Sequence, residues 1–158
     1  MSGRSEVHRL KARLDATITR AETVGDDEVR ADLARYICVL VCGFLEKAVF
    51  ELLSHYARQH SNTAVHRYLV WRLEAGFQNP SKDKIVTTLR KFEPAWGADL
   101  EAYIVDARQA AVGSILAQRH LIAHGGSSDI SLARVKDYYA EVIDVVNRVA
   151  DVLDGNVP

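Results

Sequence analysis

The stretch "CVLVCGFLEKAVFELL", Cys38 to Leu53, decides how the chain folds. Val41, Leu45, Ala48, Val49 and Leu52 recur three and four apart within it, the spacing of one helical face. Between Ile37 and Leu45 the other face is apolar too, because Cys38, Val39 and Cys42 fill it. A helix without a polar face is either central to a core or covered by another subunit. Glu46 interrupts the run, with Cys42, Gly43, Val49 and Phe50 as its helical neighbours.

Outward from this stretch the same row continues through Leu33, Tyr36, Leu40, Phe44 and Tyr56. It predicts a long helix from Asp26 and Asp27, whose carboxylates suit the free amides of a helix start, to about His60. Ahead of it, Val7, Leu10, Leu14, Ile18 and Ala21 predict a first helix that stops near Gly25. Ser61, Asn62 and Thr63 start a third helix, which runs to about Ala75 and is broken by Gly76, Asn79 and Pro80. Ser81 caps a short fourth helix carrying Ile85, Val86, Leu89 and Phe92. "FEPAWGADL" reads as a turn with Pro94 and Gly97 as breakers. A fifth helix is expected from about Asp99 to Ala123, ending at Gly125. Ser131 then caps a sixth, with Leu132, Val135, Tyr139, Val142, Val146, Val149 and Leu153 as its seam. No strand pattern, repeat or linker interrupts the series. The expectation is an all-α, single-domain helical bundle of about five to six helices over residues 1–158.

Composition narrows the function classes. A chain of 158 residues, 48% hydrophobic and 26% charged, is long enough for one good core and too short for two. Its net charge of −1 argues against broad electrostatic coating of nucleic acid, so any RNA or DNA contact must be local. No apolar run approaches the ~20 residues that cross a membrane. The opening "MSGRSEVHRLKARLD" has no apolar signal-peptide core, so a cytoplasmic location without membrane partners is expected. Cys38 and Cys42 read as buried thiols of a reducing compartment, not as a disulfide or a zinc site.

The stretch that carries chemistry is "SILAQRHLIAHGGSSDIS", Ser114 to Ser131. It gathers Arg119, His120 and His124 on the last turn of a helix, just before Gly125 and Gly126. Three readings stand side by side. Basic side chains near a helix C-terminus interact favourably with its dipole and exposed carbonyls. His120 and His124, four apart, would share a face and hold a metal ion, although no third ligand stands out and the glutamate of HExxH is missing. The third reading rests on Arg119, which continues the apolar row of Val112, Ile115 and Leu116. A guanidinium cannot shed its charge, so burying it calls for a partner, and Glu46 is the obvious one. Such a pair would either fix helix register or hold the guanidinium for a phosphate.

The segment "RHLIAHG" resembles the signature of HEPN domains: an Arg, a polar residue, three more positions, then His. The long early helix with its embedded Glu, the "NPSKDKI" and "FEPAWG" connections, the motif helix and one final helix are similar to the RiboL-PSP group of that family. The resemblance covers most of the chain and implies a metal-independent endoribonuclease, often the toxin or effector of a toxin–antitoxin or antiphage system. It implies a homodimer in which two motifs line one RNA-binding cleft, with no cofactor. Carried onto this chain, His124 is the acid/base residue, Arg119 binds phosphate and His120 orients them, where relatives often have Asn or Asp. Glu46 supports Arg119. Some members are catalytically silent and bind a partner, such as a nucleotidyltransferase antitoxin, or nucleotide. Arg119 and His124, five apart, stand roughly 140° apart on an ideal helix. They meet only if the helix unwinds at its end, which the two glycines permit.

Overall fold

The computed structural model describes residues 3–156, and among them seven helices account for nearly the whole chain. They are α1 (Gly3–Glu22), α2 (Asp27–His60), α3 (Thr63–Gly76), α4 (Lys82–Phe92), α5 (Pro94–Tyr103), α6 (Asp106–Ala123) and α7 (Leu132–Leu153). The all-α expectation holds, with seven helices in place of five to six.

α2 organises the rest. Its 34 residues span roughly 50 Å, and α1, α3, α6 and α7 all pack on it. Ile37, Cys38, Val41, Cys42, Phe44 and Leu45 are buried, so the apolar segment is chiefly central to the core. Each such aliphatic or aromatic side chain contributes about 1.5–3 kcal/mol of transfer free energy. Tyr36 and Gly43 remain exposed and Val39 and Leu40 half-buried, forming a groove of about 670 Å3 against α1. Polar clasps close the other seams. The Tyr139 hydroxyl of α7 donates to Asp15 of α1 at 2.9 Å, and Arg4 bridges Asp151 and Asp154 at 2.8 and 2.6 Å.

The helix starts follow their caps. Asp26 accepts from the amides of Glu28 and Val29, Asn62 from Val65, Ser81 from Lys84 and Ser131 from Arg134.

Two expectations are corrected. "FEPAWGADL" is not a turn but most of α5, with Pro94 at the first helical positions, where its missing N–H costs nothing. Gly97 is not a breaker either: a Cβ there would lie 2.4 Å from Arg90 Cβ, so glycine lets α5 press against α4. The helix expected over Asp99–Ala123 is two helices, broken after Tyr103, with Asp106 at a left-handed φ of 49°. Asp99 then anchors α5 to α7 by a two-bond contact with Arg148 at 2.5 and 2.8 Å. No helix among the described residues is long and apolar enough to cross a membrane.

Candidate active site at the end of α6

α6 carries the motif against α2 and α7. Ala111, Val112 and Ile115 bury its inner face, and Arg119 follows that face as a half-buried side chain one turn further on. Its charge reaches Cys42 of α2. Burial pushes the Cys42 thiol up, with Arg119 pulling it down and Glu46 pushing it up, so both charges act on that sulfur.

Glu46 and Arg119 nevertheless do not pair, which corrects the expected ion bridge. Glu46 Oε2 accepts the backbone N–H of Asn79 at 2.6 Å instead. Asn79 opens the α3–α4 connection at a left-handed φ of 46°, and its amide has no helical acceptor to turn to. A backbone donor with no other outlet outcompetes a mobile guanidinium for the carboxylate. Among the described residues Arg119 has no hydrogen bond or ion pair. Its charge is thus half-buried and available, a costly condition unless something anionic visits.

The helix end is also not as expected. Gly125 and Gly126 do not unwind α6; they close it. Gly125 takes φ +73°, its N–H donates to Ile122 O at 3.1 Å, and Gly126 N–H donates to Leu121 O at 2.9 Å. These are the two bonds of a Schellman termination. His124, the last residue before it, keeps near-helical angles of −95° and 15°. Its ring therefore lies beside that of His120, with centroids 4.3 Å apart and planes tilted by 57°, and both imidazoles are exposed. The structure brings His120 and His124 together and leaves Arg119 on another side of the helix.

Three residues that the sequence did not mark hold this end in place. The buried Ser128 donates its hydroxyl to Gln118 at 2.6 Å, and Arg35 of α2 donates to the Ser128 carbonyl at 3.1 Å. The loop after the motif is thereby tied to α6 and α2. Nothing in "GGSSD" distinguishes Ser128 from Ser127, so only the fold reveals it. Among the described residues no three His, Cys, Asp or Glu side chains gather to hold a metal ion. His60 is stacked on Tyr56 at 4.1 Å, and His66 is within 3.5 Å of Ser54, both on or beside the far half of α2.

No curated protein and no solved structure matches the chain. The family model described as RiboL-PSP-HEPN matches residues 5–155, a span that takes in α2, the motif helix and α7 together. With an all-α bundle built on α2 and an Arg-x4-His helix end, the chain belongs to the RiboL-PSP-HEPN family.

Proposed function

We propose that this protein is an endoribonuclease that cuts single-stranded or loop RNA without a metal. Family membership supports a ribonuclease-related function in general. The observation that carries the finer reading is the unpaired, half-buried Arg119 on the same helix end as two exposed, adjacent imidazoles. RNA brings its own nucleophile. One imidazole removes the 2′-hydroxyl proton, and the oxygen attacks the adjacent phosphorus. The bond from phosphorus to the 5′ oxygen breaks, and an imidazolium gives that oxygen its proton. Arg119 neutralises charge growing on the phosphoryl oxygens. The products are a 2′,3′-cyclic phosphate and a 5′-hydroxyl. His124 is the acid/base group in this scheme and His120 holds it in place.

Within one chain Arg119 and His124 do not converge, and a two-fold axis is the simplest remedy, since it sets one copy's imidazoles against the other's guanidinium. The sequence offers two surfaces for that axis, the apolar segment Ile37–Leu45 of α2 and Tyr138, Val145 and Val152 of α7, and the second is mostly covered. Val145 and Val152 are buried under the neighbours of α7 and offer no surface, and Tyr138 is half-covered, with Arg134 near its ring. The exposed strip of α2 is the better candidate. Gly43 sits in its middle, where a Cβ would meet nothing within 4 Å, so the isolated chain has no use for a glycine there.

The decisive experiment is RNA with purified protein in excess EDTA. Wild type should yield cyclic-phosphate ends and His124→Ala should lose about 10²–10⁴ in rate. No cleavage by wild type, or equal cleavage by His124→Ala, sinks the reading in favour of a silent binding module. Light scattering should give a dimer that Gly43→Arg dissociates; a monomeric wild type at micromolar concentration removes the composite site.

A further inference from the structure

α3 is the least covered helix of the bundle: it packs on α2 and, within its own length, fully buries only Leu73. Its outward arc carries Arg67, Tyr68, Trp71 and Arg72. Tyr68 and Trp71 are 60% and 57% exposed, the highest of any large hydrophobic in the described residues. Their rings lie 5.8 Å apart at a 40° tilt, and the Arg72 guanidinium is 5.9 Å from the Trp71 ring centre. A hollow of about 270 Å3 continues the face between α3 and α4, lined by Tyr68, Arg72, Thr88, Lys91 and Phe92 and by no carboxylate.

The cations of this face, unlike many elsewhere on the surface, are not committed to carboxylates. Arg4, Arg9, Arg30, Arg35, Arg90 and Arg148 are all paired with carboxylates. Among the described residues Arg67, Arg72 and Lys91 have no ion pair or hydrogen bond. Unpaired cations interleaved with exposed, stackable rings fit a flexible polyanion with flat bases. The C-terminal end of α3 adjoins a second hollow lined by Glu46, Lys47, Glu51 and Glu74, whose carboxylates bound the cationic face on that side.

We propose that the Tyr68–Trp71 face of α3 is a binding track for single-stranded RNA, its rings stacking bases and Arg67, Arg72 and Lys91 meeting phosphates. It deepens the ribonuclease reading and rests on it for the identity of the ligand.

The test is fluorescence anisotropy of a fluorescein-labelled 2′-O-methyl oligouridine with the full chain. This probe lacks the 2′-hydroxyl and is not cut by the proposed chemistry. Tyr68→Ala and Trp71→Ala should each weaken binding about tenfold, and Trp71→Phe, which keeps a ring, should stay within about threefold of wild type. Arg72→Ala and Lys91→Ala should each lower the log–log salt slope by about 0.7. Equal affinity of wild type, Tyr68→Ala and Trp71→Ala overturns the proposal. So does a light-scattering mass that falls in Trp71→Ala while affinity is kept, because the face then belongs to a second copy. Binding through Trp71 with no cleavage of ordinary RNA keeps the track and discards the nuclease. Cleavage that needs His124 but ignores Trp71 does the reverse.

Discussion

The carboxylate of Glu46, in the middle of α2, accepts the backbone N–H of Asn79 at 2.6 Å. A residue embedded in an apolar helix thus pins a connection 33 positions away. Removing it leaves a part-buried amide without an acceptor. Glu46→Ala should cost about 1–3 kcal/mol in urea denaturation, and Glu46→Gln, which keeps an acceptor oxygen, clearly less. In a cycle with Arg119→Ala the losses should add to within about 0.5 kcal/mol. A larger coupling would restore the ion pair that the geometry denies.

The closed end of α6 makes an opposed pair of predictions for its glycines. Gly125→Ala forces a side chain into φ +73° and should cost about 1–2 kcal/mol, with a loss of RNA cleavage as His124 shifts. Gly113→Ala, in the middle of the same helix, meets nothing within 4 Å and should stabilise by about 0.5–1 kcal/mol. Thermal melts of both variants compare the two directly.

Alkaline pH should weaken the fold by a defined route. Burial raises the Cys38 thiol from 9.0 to about 11, and burial together with the Asp15 carboxylate raises Tyr139 well above its ordinary 10.0. Both groups hold their protons more tightly folded than unfolded. Their contribution is complete below the unfolded values and drains away as pH rises through the folded ones. Cys38 alone should lose roughly 2 kcal/mol between pH 9 and 11. Cys38→Ala should flatten that part of the stability profile; an unchanged slope would mean that the thiol does not titrate there.

If the motif cuts cellular RNA, induced expression of wild type should arrest bacterial growth, and His124→Ala and Arg119→Lys should not. Lysine keeps the charge of Arg119 but loses its planar, two-pronged donation to phosphate. Arrest by all three proteins would trace the harm to something other than the motif.

Periodicity and capping made much of this fold legible. The starts of α2, α3, α4 and α7 were readable because Asp26, Asn62, Ser81 and Ser131 announce themselves one residue before an apolar spacing. α5 escaped because Pro94 and Gly97 have two meanings. Proline also begins helices, and glycine also marks where two backbones nearly touch, as Gly97 does with Arg90. The break before α6 has no such residue: Val105 and Asp106 continue a plausible helical spacing, and tertiary packing overrides it. At the site, the clustering of His120 with His124 followed from their spacing. The partner of Glu46 did not, because a backbone amide is invisible in a sequence and competes as well as a guanidinium does.

The order of the helices along the chain has a consequence for synthesis. α2 takes α6 and α7 as neighbours, yet α7 follows the other six described helices out of the ribosome. Until it emerges, the faces of α2 and α6 that α7 covers are open to chaperones. The motif helix, which packs on both, gains its full footing only once α7 has been made. Any action of this end of α6 on RNA therefore waits for the synthesis of α7.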